Sequence, residues 1–316
     1  MGSIPPTCVR VAPTGEEAMA NMPAAEVDVT TELVVRLLAE QHPDLVELRL
    51  TPAANGWDNA IFRLGADLAV RLPRRQAAAE LIRNEQRWLP ELSQGLPAAT
   101  TVPVRTGAPS SYFPWYWTIT RWVNGVQAAA IEPRRRSHAA EDLGRFVLAF
   151  HRPAPADAPR NPVRGVPLST RNAAVEERIA AAGLSRELLG LWRILRDQPE
   201  WSGPPLWLHG DLHAANLVLN PKGRLAGVLD FGDLTAGDPA TDLAAAWLVF
   251  DRAGRRVFMD TINSERPLDA ATWQRARGWA LCIAAAMAAT SDNNPAFRTM
   301  GNRILDDVLT DEGPAG

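Results

Sequence analysis

Apolar positions change their period near residue 124, and the elements follow that change. Over residues 30–41, Leu33, Val34, Leu37 and Leu38 recur at helical spacing. Residues 46–51 alternate as a strand, Ala53-Ala54-Asn55-Gly56-Trp57-Asp58 supplies turn residues, and residues 59–64 and 68–72 read as two more strands joined around Gly65. A small antiparallel meander is expected from these three. Residues 77–92 are helical by composition, and residues 102–105 and 115–123 predict further strands, the second rich in aromatics. Beyond Asn124-Gly125 helical spacing dominates, over residues 133–151, 170–182, 186–197 and 239–251 and in two helices from Ala270 onward. A Pro-rich loop at 152–167 and a β segment at 206–231 interrupt them. Residues 1–27, rich in Pro, Ala and Glu, show neither period and read as a loose leader. The expected organisation is a mixed α/β (α+β) chain with a leader (1–27), a strand-rich N-terminal lobe (28–123) and a mainly helical C-terminal lobe (124–316).

Composition narrows the possibilities. With 316 residues, 46% of them hydrophobic, the chain can bury a full core in one large domain or two lobes. Its 33 basic side chains against 36 acidic ones form no block of like charge, so no nucleic-acid partner is expected. Cys8 and Cys282 stand at opposite ends without metal-ligand spacing, which suits a reducing cytoplasm. No basic-then-apolar signal opens the sequence, and Pro6 stands where a myristoylation motif needs Ser or Thr. The longest apolar stretch, residues 279–289, is too short to span a bilayer, so no membrane role is expected. Lys222 is the only lysine, and phosphate binding elsewhere must therefore fall to arginine.

The densest chemistry runs from Trp207-Leu208-His209-Gly210-Asp211-Leu212-His213 through Asn216 to Gly227-Val228-Leu229-Asp230-Phe231-Gly232-Asp233. Asn220-Pro221-Lys222-Gly223 fits a type I turn, so residues 217–219 and 225–229 should form a hairpin. Asn216 then falls opposite Gly227, leaving Asp230 about 10 Å farther along at ~3.3 Å per residue, a gap for a curled loop to close. A carboxylate, an Asn five residues later and a second carboxylate beyond a hairpin suit Mg-dependent phosphoryl transfer. One amide oxygen and one carboxylate, with nucleotide phosphates and water, complete the shell of a hard cation. The remaining carboxylate can face the acceptor hydroxyl. Plainer readings exist. His209-x-Asp211-x-His213 has the period-two spacing of a metallohydrolase cluster, although Gly210 and the lack of another His or Cys group nearby argue against it. Asp211, Asn216 and Asp230 taken singly are turn or cap residues. Asp238 before Pro239 reads as a helix cap, Asp242 as a group reaching back to hold the loop, and His209 and His213 as braces. Asp233 is either an exposed loop carboxylate or a neighbour of metal or substrate.

These motifs resemble the aminoglycoside phosphotransferase family, whose members share a bilobed protein-kinase-like fold with a small antiparallel-sheet N-lobe and a mainly helical C-lobe. The likeness rests on His209-Gly210-Asp211 with Asn216, then Asp230, then Gly237-Asp238-Pro239-Ala240-Thr241-Asp242. It extends more weakly through Gly56-Trp57-Asp58-Asn59, Val70-Arg71-Leu72-Pro73-Arg74 and Glu85 to Pro90. The resemblance implies Asp211 as catalytic base, Asn216 and Asp230 as Mg2+ ligands, and ATP or GTP as donor. It also implies that Arg71, in place of a kinase lysine, holds the phosphates and pairs with Glu85. A guanidinium can bind a phosphate and a carboxylate together; the plain alternative is a surface arginine on a strand edge. With no G-x-G-x-x-G or Walker motif, the turn at Asn55 and Gly56 would cover the phosphates. Trp122 and Val123 would form the hinge that reads the base, or simply core, and Val218 and Leu229 complete the expected nucleotide contacts.

The expected function is phosphoryl transfer from ATP or GTP to a hydroxyl of a small molecule, aminoglycoside-like or another antibiotic at the family level. A metabolic kinase of a sugar or choline-like alcohol, and a nucleotide-binding regulatory module without turnover, are the alternatives. From Leu225 onward 13 acidic residues face 8 basic ones, whereas residues 1–224 carry 23 and 25. A negative acceptor lobe would draw an amine-bearing polyol, although a solvated helical surface gives the same count.

Overall fold

The computed structural model describes residues 25–55, 58–290 and 294–311. Helix α1 (Thr31–Gln41) begins at Thr30, whose hydroxyl accepts from the Leu33 amide at 3.2 Å, and it buries Val34, Leu37 and Leu38. Strands β1 (Leu50–Asn55), β2 (Asn59–Leu64) and β3 (Leu68–Pro73) form the meander. The first starts later than its alternation suggests, because Pro43–Leu45 closes a 3-10 turn, and it runs on through Ala53 to Asn55, expected as turn. Helix α2 (Gln76–Leu92), β4 (Ala99–Thr100), β5 (Pro103–Gly107) and β6 (Trp117–Arg121) follow. The five-stranded sheet has the order β1-β2-β3-β6-β5, antiparallel throughout, with β3 at its centre.

The chain then becomes helical. After β7 (Val126–Gln127), the helix expected over residues 133–151 divides into α3 (Pro133–Arg136) and α4 (Ala140–Phe150) around a 3-10 turn. Next come α5 (Asn172–Ala181), α6 (Arg186–Arg196), β8 (Leu206–Leu208), β9 (Leu217–Leu219), β10 (Leu225–Val228) and β11 (Thr235–Gly237). The C-terminal helices are α7 (Ala240–Leu243), α8 (Ala245–Val249), α9 (Arg252–Glu265), α10 (Ala270–Thr290) and α11 (Pro295–Thr310). Hydrophobic spacing did not reveal α9, because its buried side is thin: Gly254, Arg255, Phe258 and Ile262. Its signal was the cap, Asp251, whose carboxylate accepts from the Gly254 amide at 2.9 Å. No helix among the described residues is long and apolar enough to cross a membrane.

Two apolar cores result. One packs Leu37, Leu38, Phe62, Leu72, Trp117 and Ile119 between α1 and the large sheet; the other gathers Phe146, Phe150, Trp247, Phe258 and Trp279 among the helices. Helix α2 joins them, giving Ala79 to the first and Leu89 and Leu92 to the second. Strand β4 leaves the large sheet to pair in parallel with β10, in a second sheet of order β4-β10-β9-β7.

The hairpin register decides where the chemistry lies. Gly223 N–H donates to Asn220 O at 2.9 Å, as the turn requires, but Asn220 N–H also donates to Arg224 O, closing the hairpin one residue wider than a two-residue turn. A bulge between Leu225 and Gly227 adds a second step, so Val218 pairs with Gly227 and Leu217 with Val228. Asn216 therefore stands opposite Leu229, whose N–H it accepts at 2.8 Å, rather than opposite Gly227 as expected. Asp230 is next in line, and the anticipated 10 Å gap never opens.

Candidate active site

The loop between β8 and β9 is held from behind. Asp242, 1% exposed, accepts from His209 N–H and Gly210 N–H at 2.8 Å each and from His151 Nε2 at 3.1 Å. Burial disfavours its charge, but the His151 bond and charge, with the Gly210 amide, hold its pKa below the usual carboxylate range. Gly210 takes φ +87°, and a Cβ there would stand 2.3 Å from Asp233 O, so only glycine lets the two loops pass. His209 is a brace: Nδ1 accepts from Asp211 N–H at 3.2 Å and Nε2–H donates to Leu229 O at 2.9 Å, tying the loop to the hairpin. Asp238 was expected as the cap of α7, but Pro239 holds that position; Asp238 accepts from Ala240 N–H at 3.0 Å one residue ahead of it and also pairs with Arg275 of α10 at 2.7 Å.

In front of this frame, Asp211 sits between cations, its side chain one-quarter exposed. Oδ2 is 3.1 Å from His213 Nε2, and Oδ1 is 3.1 Å from Arg164 Nη2. Burial opposes ionisation, yet the charge and hydrogen bond of His213, with Arg164, hold the Asp211 pKa far below the usual range. Ala215 N–H donates to His213 Nδ1, which leaves Nε2–H facing Asp211. Against its burial, Asp211 raises the His213 pKa. Asn216 Nδ2 donates to Asp211 O at 2.9 Å, so its Oδ1 is turned away and available to a ligand. Asp230 adopts φ 59°, uncommon outside glycine, and exposes 57% of its side chain, with Oδ1 3.4 Å from Arg71 Nη2.

Arg71 is no edge residue. It lies on central β3, 4% exposed, and grips Glu85 of α2 with both Nη atoms, at 2.5 and 3.2 Å. Burial pushes the Glu85 carboxyl up against the pull of Arg71; it also opposes the Arg71 charge, which Glu85 and Asp230 more than restore. The two parts of the molecule are thus joined by a Glu85–Arg71–Asp230 bridge.

Just past β6, Trp122 N–H donates to Asp67 O at 2.8 Å while the Arg63 guanidinium stacks 4.7 Å over its ring. Val123 rests against Gly227, and Val218 lies close to Gly125, where a Cβ would come within 2.5 Å of the valine Cγ1. Half-buried Leu229 follows β10. Asn55 ends β1 opposite Ala60, whereas Gly56 and Trp57 lie outside the described residues.

Asp233 is not a free surface carboxylate. Asn161 Nδ2 donates to its Oδ1 at 2.7 Å, and Arg164 Nη2 lies 3.6 Å from Oδ2. Burial and the charge of Asp211 push its pKa up. Sequence reasoning missed Arg164 and Asn161, because the Pro-rich loop that carries them had no catalytic spacing to mark it. Among the described residues no group of three His, Cys, Asp or Glu is placed to hold a metal ion, and His209 turns to a backbone carbonyl, so the metallohydrolase reading fails. The oxygens of Asn216 and Asp230 remain, a donor pair that suits a hard cation sharing its shell with phosphates and water.

Residues 49–279 match the signature of APH, described as the Phosphotransferase enzyme family. The Bacillus subtilis (strain 168) protein YcbJ, itself uncharacterized, is 29% identical over 89 residues, which is 24% of this chain and only 29% of that relative. The GDP and kanamycin complex of APH(2'')-IIIa superposes with a TM-score of 0.67 at 17% identity, covering 87% of this chain and 97% of that one. The apoenzyme of macrolide 2'-phosphotransferase MphH from Brachybacterium faecium gives 0.57 at 19% identity, with 87% and 97% covered. At such identities the likeness is one of fold, the bilobed kinase-like arrangement of an antiparallel-sheet part and a helical part. The family match reaches from β1 into α10 and encloses Arg71, Glu85, Asp211, Asn216 and Asp230, and this chain belongs to the phosphotransferase enzyme family.

Proposed function

We propose that the chain moves the γ-phosphoryl group of ATP or GTP to a hydroxyl of a small molecule, with Mg2+ as cofactor. The observation that carries this reading is the hairpin register, which sets Asp230 beside the partner of Asn216 while Asn216 bonds the Asp211 backbone. Residues 28–123 serve as the nucleotide lobe and residues 124–316 as the catalytic and acceptor lobe. Arg71, fixed by Glu85, meets the α- and β-phosphates; Asn55 and Gly56 cover them; Trp122, Val123, Val218 and Leu229 take the base. Asn216 Oδ1 and the Asp230 carboxylate would hold Mg2+, which when bound offsets charge on the phosphates. Asp211 orients the acceptor hydroxyl and takes its proton late. A carboxylate so strongly held in its ionised form is a weak base, which suits a loose transition state that needs little early proton transfer.

An antibiotic acceptor is supported by the family and by solved relatives described with kanamycin or as a macrolide phosphotransferase. The experiment is incubation with MgATP or MgGTP and a panel of kanamycin, a macrolide and small alcohols, followed by nucleoside diphosphate release and a mass gain of one phosphate. Asp211→Asn should keep nucleotide binding and lose ~10²-fold or more in turnover. Product formation at the wild-type rate in that variant would overturn the assignment.

A further inference from the structure

The loop that carries Asp211 has neither lysine nor arginine between residues 209 and 216. A guanidinium reaches Asp211 from elsewhere, on Arg164, 47 residues upstream in the Pro-rich loop. That loop is tied down on both sides of Arg164. Before it, Pro159 O accepts from Ala236 N–H at 3.2 Å and Thr235 Oγ1 accepts from Asn161 N–H at 2.9 Å. After it, Gly165 N–H donates to Thr241 Oγ1 and Gly165 O accepts from Asp238 N–H, both at 3.1 Å. A Cβ on Gly237 would stand 2.0 Å from Gly165 O, so the loop lies against β11 with no room for a side chain between the backbones.

Arg164 Nη2 lies between two carboxylates, 3.1 Å from Asp211 Oδ1 and 3.6 Å from Asp233 Oδ2, and Asn161 Nδ2 holds Asp233 Oδ1 at 2.7 Å. Asp211 is therefore gripped at both oxygens, by Arg164 at Oδ1 and by His213 at Oδ2, which keeps its carboxylate plane from turning. Burial opposes the Arg164 charge, and Asp211 and Asp233 more than restore it. An ion pair open to water would contribute little. Here the three side chains are mostly buried, and the contacts run in series from Asn161 through Asp233 and Arg164 to Asp211. A planar guanidinium can meet two carboxylates at fixed angles, whereas an ammonium on a flexible stem sets no plane.

Resting on the phosphotransferase reading above, we infer that Arg164 is a positioning residue for Asp211, and that Asp233, held by Asn161, acts by placing Arg164. The test needs no known acceptor. The full chain is given MgATP or MgGTP with water in place of the acceptor hydroxyl, and nucleoside diphosphate release is followed beside binding of a non-hydrolysable analogue. Arg164→Gln should lower kcat ~10- to 100-fold while the nucleotide KM stays within about 2-fold, because a small misplacement of a reacting group is felt in turnover. Arg164→Lys should recover part of that loss, and Asp233→Asn should show a smaller loss of the same kind. In the Asp211→Asn background Arg164→Gln should change the residual rate by less than about 2-fold, since a group that acts through Asp211 then has nothing to place. Wild-type kcat in Arg164→Gln or Asp233→Asn, a loss confined to KM, a lysine variant no better than glutamine, or the full loss repeated in the Asp211→Asn background would overturn the inference. If Arg164→Gln does not fold, Arg164→Lys and Asp233→Asn decide by the same kcat and KM criteria. A wild type that binds the analogue and releases no diphosphate from either nucleotide overturns the phosphotransferase reading and this inference with it, whereas a wild type that turns over no faster than its variants overturns the inference alone.

Discussion

Replacing Asp242 with Asn keeps the shape of the side chain and removes its charge at a site closed to water. Oδ2 serves His209 N–H and His151 Nε2, and Oδ1 serves Gly210 N–H. In the best orientation the new amide nitrogen takes the Oδ1 position, setting two donors face to face and leaving Gly210 N–H buried without an acceptor. That orphan costs ~1–3 kcal/mol, and the two surviving bonds each lose about 1 kcal/mol as their acceptor becomes neutral. The sum, ~3–5 kcal/mol, matches the cost of breaking a buried charge pair and is a large part of a typical stability of ~5–15 kcal/mol. Urea unfolding followed by tryptophan fluorescence measures it. The native pKa of Asp242 is lowered from an unfolded value of about 3.9, so its contribution is present above that pH and disappears as pH falls through the native pKa. The gap between wild type and Asp242→Asn should be level from neutral pH to about 5 and close below about 4. A gap under ~1 kcal/mol at neutral pH, or one that widens toward acid, would refute the reasoning. With the loop loosened, kcat should fall ~10- to 100-fold while the nucleotide KM holds.

Arg71→Ala should raise the nucleotide KM and lower kcat without unfolding the chain, and Glu85→Ala should show a milder loss because Asp230 still faces Arg71; wild-type kinetics in both would mean the nucleotide is anchored elsewhere. Asp230→Ala should abolish the gain in nucleotide affinity that Mg2+ brings, read by titration with and without the metal, and an unchanged gain would count against Asp230 as a ligand. Gly210→Ala, with its Cβ aimed at Asp233 O from 2.3 Å, should cost roughly 1–3 kcal/mol of stability and slow turnover. A wild-type melting temperature and rate in that variant would show that the loops have room to move.

Elements governed by local chemistry were legible in the sequence. Helix α1, with its Thr30 cap and stripe of buried residues, and β2, with its alternation, stand where the pattern put them. The turn at Asn220 was equally readable, yet the register beyond it was not. A bulge at residue 226 belongs to the pairing of two strands and to the packing of β4 on β10, neither of which a single strand encodes. The roles of His209 and Asp242 as supports followed from their places around Asp211, whereas the contacts of Arg164 and Asn161 with Asp211 and Asp233 depend on how a Pro-rich loop folds back. Long-range placement of this kind leaves no period to read. A net charge likewise does not say which carboxylates are taken up in caps and pairs, as Asp238, Asp251 and Asp311 are.

The turn joining β9 and β10 holds Lys222, exposed and alone of its kind in the chain. An amine-directed reagent thus has one side-chain target, at the tip of the hairpin whose other end presents Asn216 and Asp230. A fluorophore placed there would report on the hairpin while leaving the cleft chemically intact. If the proposed role of Arg71 holds, reagents that acylate a lysine beside the phosphates would meet an arginine there instead.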